Sequence, residues 1–396
     1  MKVLMLNREN CFTRPGGDTV QMLETKRHLE MLDVQVDVSL RTDFSADNYD
    51  IAHIFNIQKG AVAYSLEQIK QAKKMKLPVA LSTIYWHWQA QQDRKYLDYR
   101  RKLKASNKSL VWCLRSFINE VSFFKIYTQE EIDQICRKYV YDNFYADRMR
   151  LCIYMSDVLL PNAVREITRL KKDLDIVGDT QLHTHIIPNG VDAEWAKDLP
   201  SPERFRVRYG IKDFVLCVGR VEPSKNQLAL IRALRNEPLP LVLIGSSAGA
   251  YADFCREEAR HSIADVLILD HMDHAELLEA YVAAKVHALP SWRETPGLAA
   301  LEAAAAGCNI VVTQNGTASE YFGDLAWYCD PTDIGSIRNA VLDAYRSESQ
   351  GLLREHILRN FTWEIAAERI LDAYLCMLKR TTQVDYKCKM PLSLTI

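Results

Sequence analysis

The sequence predicts an α/β chain of two doubly wound, parallel-sheet domains, and three observations carry that reading. Short apolar runs alternate with helical patterns from the first residues onward, and the same rhythm repeats more cleanly in the second half. Between the halves lies a turn-rich break, Pro188-Asn189-Gly190-Val191-Asp192. The length of 396 residues agrees, because one hydrophobic core seldom grows that large.

In order, residues 3–6 read as a buried strand, 19–32 as a helix and 34–40 as a second strand. Strands at 51–55 and 79–82 follow, with a helix over 62–76 between them, and 157–160 and 185–187 continue the sheet. The second domain repeats the unit with strands at 214–218, 241–244, 266–269, 286–289 and 310–312, each followed by a helical stretch. We place an N-terminal domain at 1–190, a C-terminal domain at 191–378 whose last helix, over 363–378, could pack on either domain, and a tail at 379–396. Residues 86–150 break the alternation and read as a helical insertion. Arg94, Lys95, Arg100, Arg101 and Lys102 crowd its first part, and Trp112, Phe117, Phe123 and Phe124 follow. A hairpin with one solvated face and a surface for an acceptor or an anionic membrane both fit that pattern.

Composition narrows the function. Apolar residues at 48% and charged residues at 26% describe a globular enzyme, and a net charge of −1 argues against a general nucleic-acid binder. The ten cysteines form no CxxC pair, which points to free thiols in a reducing cytoplasm rather than a zinc or dithiol centre. The apolar start, 1–7, is too short for a signal peptide or a membrane span. Asp173-Leu174-Asp175 ends a Lys-rich helix rather than a strand, so no metal site is expected there.

The most informative stretch is Pro290-Ser291-Trp292-Arg293-Glu294-Thr295-Pro296-Gly297-Leu298, running into Ala299-Ala300-Leu301-Glu302 and ending at Gly307. It reads as a strand end, a tight loop and a helix with Thr295 as N-cap, Pro296 at the first helical position and Gly307 as the stop. The amides of Gly297 and Leu298 then point outward at the positive end of the helix, which suits an anion. Glu294 precedes the helix and Glu302 lies two turns into it, so both carboxylates are expected at one crevice beyond the strand ends. Two carboxylates also suit a glycosidase, but that chemistry calls for no anion-seeking helix terminus between them.

This motif resembles that of the retaining family-4 glycosyltransferases, of glycosyltransferase group 1 type, whose signature is two glutamates with seven residues between them, Gly-Leu among those. The likeness extends to Val218-Gly219-Arg220-Val221-Glu222-Pro223-Ser224-Lys225-Asn226, to Gly16-Gly17 after the first strand, and to Asp270-His271-Met272 and Tyr281. It implies the GT-B fold, two Rossmann-like domains facing across a cleft. It assigns Glu294 to the donor sugar, Glu302 to the ribose, Arg220 and Lys225 to the diphosphate, the Gly16-Gly17 loop to the phosphates from the other domain, and His271 and Met272 to the base. Thr295, Gly297 and Leu298 complete the donor site.

Two positions depart from the family pattern. Pro296 stands where many members carry Phe, and Thr83 is followed by Ile84 and Tyr85 where many place a His, so Tyr85 and His87 become the replacement candidates, with His53 nearby on its strand. The resemblance implies metal-independent hexosyl transfer, EC 2.4 in type, with the leaving phosphate helping to take the acceptor proton. The expected co-substrate is a UDP- or GDP-linked sugar, with no cofactor, and the expected acceptor is a glycan or lipid-linked glycan in surface polysaccharide or glycoconjugate synthesis. The expected location is the cytoplasm, with residues 86–150 as a peripheral contact to the inner membrane face. A sugar-nucleotide epimerase of the same fold and a non-catalytic subunit are the alternatives.

Overall fold

A computed structural model describes residues 1–58, 60–86, 143–174, 176, 182–193, 197–348 and 351–388. Most of the expected insertion, and His87 with it, lies outside the described residues. Among those described, eleven strands form two parallel sheets. The first has the order β2-β1-β3-β4-β5, from β1 (Lys2–Leu6), β2 (Gln35–Ser39), β3 (Ile51–Phe55), β4 (Val79–Ser82) and β5 (Val158–Leu159). The second has the order β11-β10-β9-β6-β7-β8, from β6 (Val215–Val218), β7 (Leu241–Ile244), β8 (Val266–Leu269), β9 (Val286–Leu289), β10 (Asn309–Thr313) and β11 (Trp327–Cys329). The strand β11 carries no strong apolar run and was not expected. Residues 184–187 are extended and bond to β5 through the His185 amide and the Leu159 carbonyl, 2.9 Å, without forming a strand of their own.

Both faces of each sheet are covered, which is why the strands read as continuous apolar runs. In β1, Leu4 and Leu6 face one side, toward α2 (Val62–Lys74), α3 (Asn143–Met155) and α4 (Val164–Asp173). Val3 and Met5 face the other, toward α1 (Gly17–Glu30) and the last helix, α13 (Trp363–Cys388). In the second sheet Leu216, Val242 and Ile310 pack against α5 (Glu203–Tyr209), α8 (His274–Ala283), α9 (Leu298–Ala306), α10 (Ala318–Phe322) and α12 (Leu352–Asn360). Val215, Leu241 and Val311 pack against α6 (Gln227–Leu234), α7 (Ala250–Ala259) and α11 (Ile334–Arg346).

The last helix, which the sequence left free to pack on either domain, packs on the first. Although contiguous with the second domain, α13 buries Trp363, Ala366, Ile370, Ala373 and Tyr374 against the first sheet. The chain returns beside the break at 188–192: Val191 donates to the Phe361 carbonyl at 2.9 Å, and Trp363 donates to that of Val191 at 3.1 Å. This double crossing links the domains, and α13 then supplies the apolar face that α1 alone would leave uncovered. The helix also runs ten residues past the expected limit of 378. Among the described residues no helix is long and apolar enough to cross a membrane.

Candidate active site

In an open parallel sheet the ligand crevice lies beyond the carboxyl ends of the strands, where the strand order reverses. In the second sheet that point falls between β6 and β9. These strands pair only at Val215↔Val286 and Leu216↔His287 before they part. The Val218 amide is taken up by Nε2 of buried His287 at 3.3 Å. Only a neutral imidazole accepts there, and burial with Lys225 nearby pushes the His287 pKa down to about 3. Sequence reasoning missed His287, which looks like an ordinary strand residue.

The loops beyond β6 and β9 are bound to each other. Asn226 Nδ2 donates to the Pro290 and Pro331 carbonyls at 3.1 and 2.9 Å, and the Trp292 amide donates to the Ser224 carbonyl at 3.0 Å. This brings Lys225 Nζ to 2.6 Å from Glu294 Oε1, with Glu294 8% exposed. An ammonium has three donors, so two remain for another anion. Arg220 is exposed, and its Nη2 lies 3.4 Å from Glu222 Oε1 at the same rim.

Glu294 is set by main-chain pairing with the loop after β10. Its amide donates to Asn315 at 3.2 Å and its carbonyl accepts from Thr317 at 3.1 Å. Gly316 allows this approach, since a Cβ there would stand 2.0 Å from the Glu294 carbonyl oxygen. That extended pairing also moves the helix start. The N-cap of α9 is Gly297, at φ 92°, not Thr295, and Pro296 lies outside the helix. The expected stop at Gly307 is in place. No side chain caps α9 and no acidic residue lies in its first turn. Its first bonds are from the Ala300 and Leu301 amides to Gly297, so the Leu298 and Ala299 amides precede any intrahelical acceptor. Half-buried Glu302, further along α9, accepts from the Tyr281 hydroxyl at 2.9 Å, and burial raises its pKa against that donor.

Of the expected base-binding pair, His271 is exposed after β8, whereas Met272 is packed into the core. Across the cleft, Gly16 is the N-cap of α1 and Gly17 leaves open space; no side chain caps this terminus either, but an acid, Asp18, lies in its first turn. The Gly16 amide donates to Thr19 Oγ1 at 3.2 Å. Buried Asp18 accepts from Arg8 Nε at 2.7 Å and from Asn56 Nδ2 at 3.3 Å.

Two N-terminal candidates are buried. His53 is fully buried in β3, with Nδ1 2.6 Å from the Tyr374 hydroxyl and Nε2 2.9 Å from Ser82 Oγ, and burial drives its pKa down to about 3. The α13 helix covers it. Tyr85 is 2% exposed, and its hydroxyl turns inward to Asp173 Oδ2 at 3.1 Å. What crosses the cleft instead is Arg293, whose Nη1 donates to the Trp86 carbonyl at 2.9 Å. Its place beside Glu294 was the available signal.

Residues 203–360 match the family model described as "Glycosyl transferases group 1". The chain is 29% identical over 252 residues to GDP-mannose-dependent alpha-(1-6)-phosphatidylinositol monomannoside mannosyltransferase of Mycolicibacterium smegmatis, covering 54% of this chain and 65% of that protein. It is 30% identical over 239 residues to D-inositol 3-phosphate glycosyltransferase of Kineococcus radiotolerans, covering 55% and 49%. The matches thus take in about half to two thirds of these relatives' length. Among solved structures, sucrose-phosphate synthase from Thermosynechococcus elongatus superposes with a TM-score of 0.71 at 15% identity, over 96% of this chain and 100% of that one. Anabaena HepE in complex with UDP and glucose gives 0.61 at 15% identity, over 94% and 99%.

Proposed function

We propose that this chain, which has the GT-B fold and matches the group 1 glycosyl transferase model over residues 203–360, moves a sugar from a nucleoside-diphosphate donor to an acceptor, with retention. The observation that carries this reading is the Lys225–Glu294 pair beside the uncapped start of α9 at the strand-order reversal. The diphosphate lies against the Leu298 and Ala299 amides, with Lys225 and Arg220 on its oxygens. As the bond to the sugar breaks, the leaving diphosphate gains negative charge. Fixed cations and amides that bind it more tightly then lower the barrier. These groups suffice to hold the diphosphate without a divalent ion.

Glu294 accepts from sugar hydroxyls and is oriented by Lys225. Glu302 accepts from the ribose, with Tyr281 holding one of its oxygens. The leaving phosphate takes the acceptor proton, so no side-chain base is assigned. UDP and GDP are both first candidates, since one relative is named for GDP-mannose and one structural neighbour holds UDP. The relative named for phosphatidylinositol monomannoside favours a lipid-linked glycan as acceptor, met at the cytoplasmic face of a membrane.

The test separates the glutamates by calorimetry with UDP and GDP. Glu302→Ala should weaken diphosphate binding by about 1.5–3 kcal/mol, the scale of charge-assisted hydrogen bonds. Glu294→Ala should leave that affinity nearly intact while stopping transfer, because its partner is absent from the diphosphate. Equal losses in both variants, or no binding by the unaltered protein, would refute the reading. Incubation with donor alone tells an epimerase, which would convert it, from a transferase.

A further inference from the structure

The reaction outlined above makes no use of Glu166, yet this carboxylate is fully buried in the first turn of α4. Its Oε1 accepts from the Thr83 hydroxyl and from the Tyr85 amide, the latter at 2.8 Å, and its Oε2 accepts from the Asn162 amide at 2.8 Å. It therefore ties the turn after β4 to the turn after β5, both at the cleft end of the first sheet. Each turn also reaches the other domain. The Asn162 carbonyl accepts from the Tyr321 hydroxyl at 2.7 Å, and the Trp86 carbonyl accepts from Arg293 at 2.9 Å.

The turn at 83–86 is not one the chain adopts freely. Ile84 has φ 44°, a conformation that strains a β-branched residue. It persists because both sides are held: Glu166 takes Thr83 and Tyr85, and Gln58 Nε2 donates to the Ile84 carbonyl at 2.8 Å. Merely stapling two turns does not call for a carboxylate, which is costly to bury. An acceptor on both oxygens, facing three donors at once, is what this position uses.

We propose that Glu166 is a positioning residue for the transfer reaction: it holds the 83–86 turn so that the Trp86 carbonyl fixes Arg293, and through it the Glu294 loop, across the cleft. The inference rests on the donor-transfer reading and adds a residue to it that touches no substrate. Burial raises the Glu166 pKa to about 7, with Thr83, Tyr85 and Asn162 opposing the shift and Glu320 adding to it. The other groups around it are Tyr321, on which Arg369 of α13 acts, and the Arg169–Asp173 pair beneath Tyr85. The ionised form accepts from all three donors, so turnover should rise with pH around neutrality.

The experiment measures turnover of UDP-glucose and GDP-mannose, with UDP and GDP affinity alongside. Glu166→Gln presents an amide donor to one of the three donors it now satisfies. Thr83→Val removes a single hydroxyl with little change of shape and serves where the first variant folds poorly. Both should lower kcat roughly tenfold or more, the scale of a misplaced catalytic loop, with diphosphate affinity within about twofold. Adding Arg293→Gln should not multiply the loss, since it breaks the same relay. Glu166→Gln should also lose the rise of turnover around neutral pH. Unchanged kcat, parallel loss of affinity and kcat, or multiplying losses would overturn the proposal while leaving the transferase reading in place. An unaltered protein that turns over neither donor and binds neither diphosphate overturns both.

Discussion

The two domains present the same architectural position to the cleft, a helix N-terminus after a glycine, and treat it in opposite ways. At α1 the terminus carries Asp18 in its first turn and Thr19 reaching back to Gly16, with Arg8 and Asn56 closing around the carboxylate. At α9 no side chain caps the helix and no acid lies in its first turn, and the Glu294 carboxylate, paired to Lys225, stands 3.4 Å from where a Cβ of Gly297 would be, with exposed Arg220 at the rim. An acid in the first turn offsets the dipole of its own helix. A terminus without one, next to a carboxylate already held by a cation, leaves more of its dipole to a ligand. On this comparison rests our proposal that the diphosphate lies at α9, with the Gly16-Gly17 loop a neighbour of the donor rather than its main anchor.

Breaking the pattern on the open side should have the largest effect. Lys225→Ala is expected to lower turnover by about two to three orders of magnitude, the scale for losing a group that stabilises developing charge. On the satisfied side, Arg8→Ala should instead cost about 2 kcal/mol of stability in urea unfolding, because Asp18 loses its ion pair, while UDP or GDP affinity stays unchanged. A Lys225→Ala enzyme with turnover within threefold of normal would remove the contrast.

A second contrast is carried by pH. The Glu166 carboxyl is raised from 4.5 to about 7 in the fold, so the folded chain keeps a proton that the unfolded chain has released between those values. Its contribution is therefore full below about pH 4.5 and is lost as pH rises toward 7, up to about 3 kcal/mol on the scale of one ionisation. Glu166→Gln should flatten that part of the stability profile. Glu302, raised by burial in the other domain, has the same sign, so Glu302→Gln is the control that isolates the N-terminal share.

The smallest effects sharpen the comparison most directly. Ala299→Glu gives α9 the acid in its first turn that α1 already has. It should raise stability by about 0.5 kcal/mol and weaken diphosphate binding roughly fivefold, as the dipole becomes satisfied internally. Unaltered affinity in calorimetry would mean that the diphosphate does not use this terminus. Treatment with EDTA should leave turnover unchanged, since Lys225, Arg220 and the α9 amides meet the charge; loss of activity restored by a divalent ion would contradict that.

How much of this was legible in the sequence differs by level. Strand positions were readable because sheets covered on both faces need continuous apolar runs, and 215–218 or 241–244 can serve little else. The positions of Glu294 and Lys225 were readable because they lie close in sequence to the ends of β9 and β6, while the roles given to them came from the family resemblance. The strand β11 was not, because it is held by its neighbour more than by its own composition, whereas 185–187, expected to continue the first sheet, do lie along β5 but only through isolated pairing. The start of α9 shifted from Thr295 to Gly297 because Glu294 pairs with the loop at Gly316, a contact between distant segments that local capping rules do not contain. His53 and Tyr85 show the same limit. The family resemblance put them near the cleft, but the direction of each side chain was decided by what packed behind it, Tyr374 of a helix that crosses back from the other domain and Asp173 of α4. The sequence by itself determined the two sheets and the chemistry offered at their ends. Only the tertiary structure decided which groups remain open to a ligand, because whether a donor or charge is satisfied depends on partners that folding brings from far along the chain.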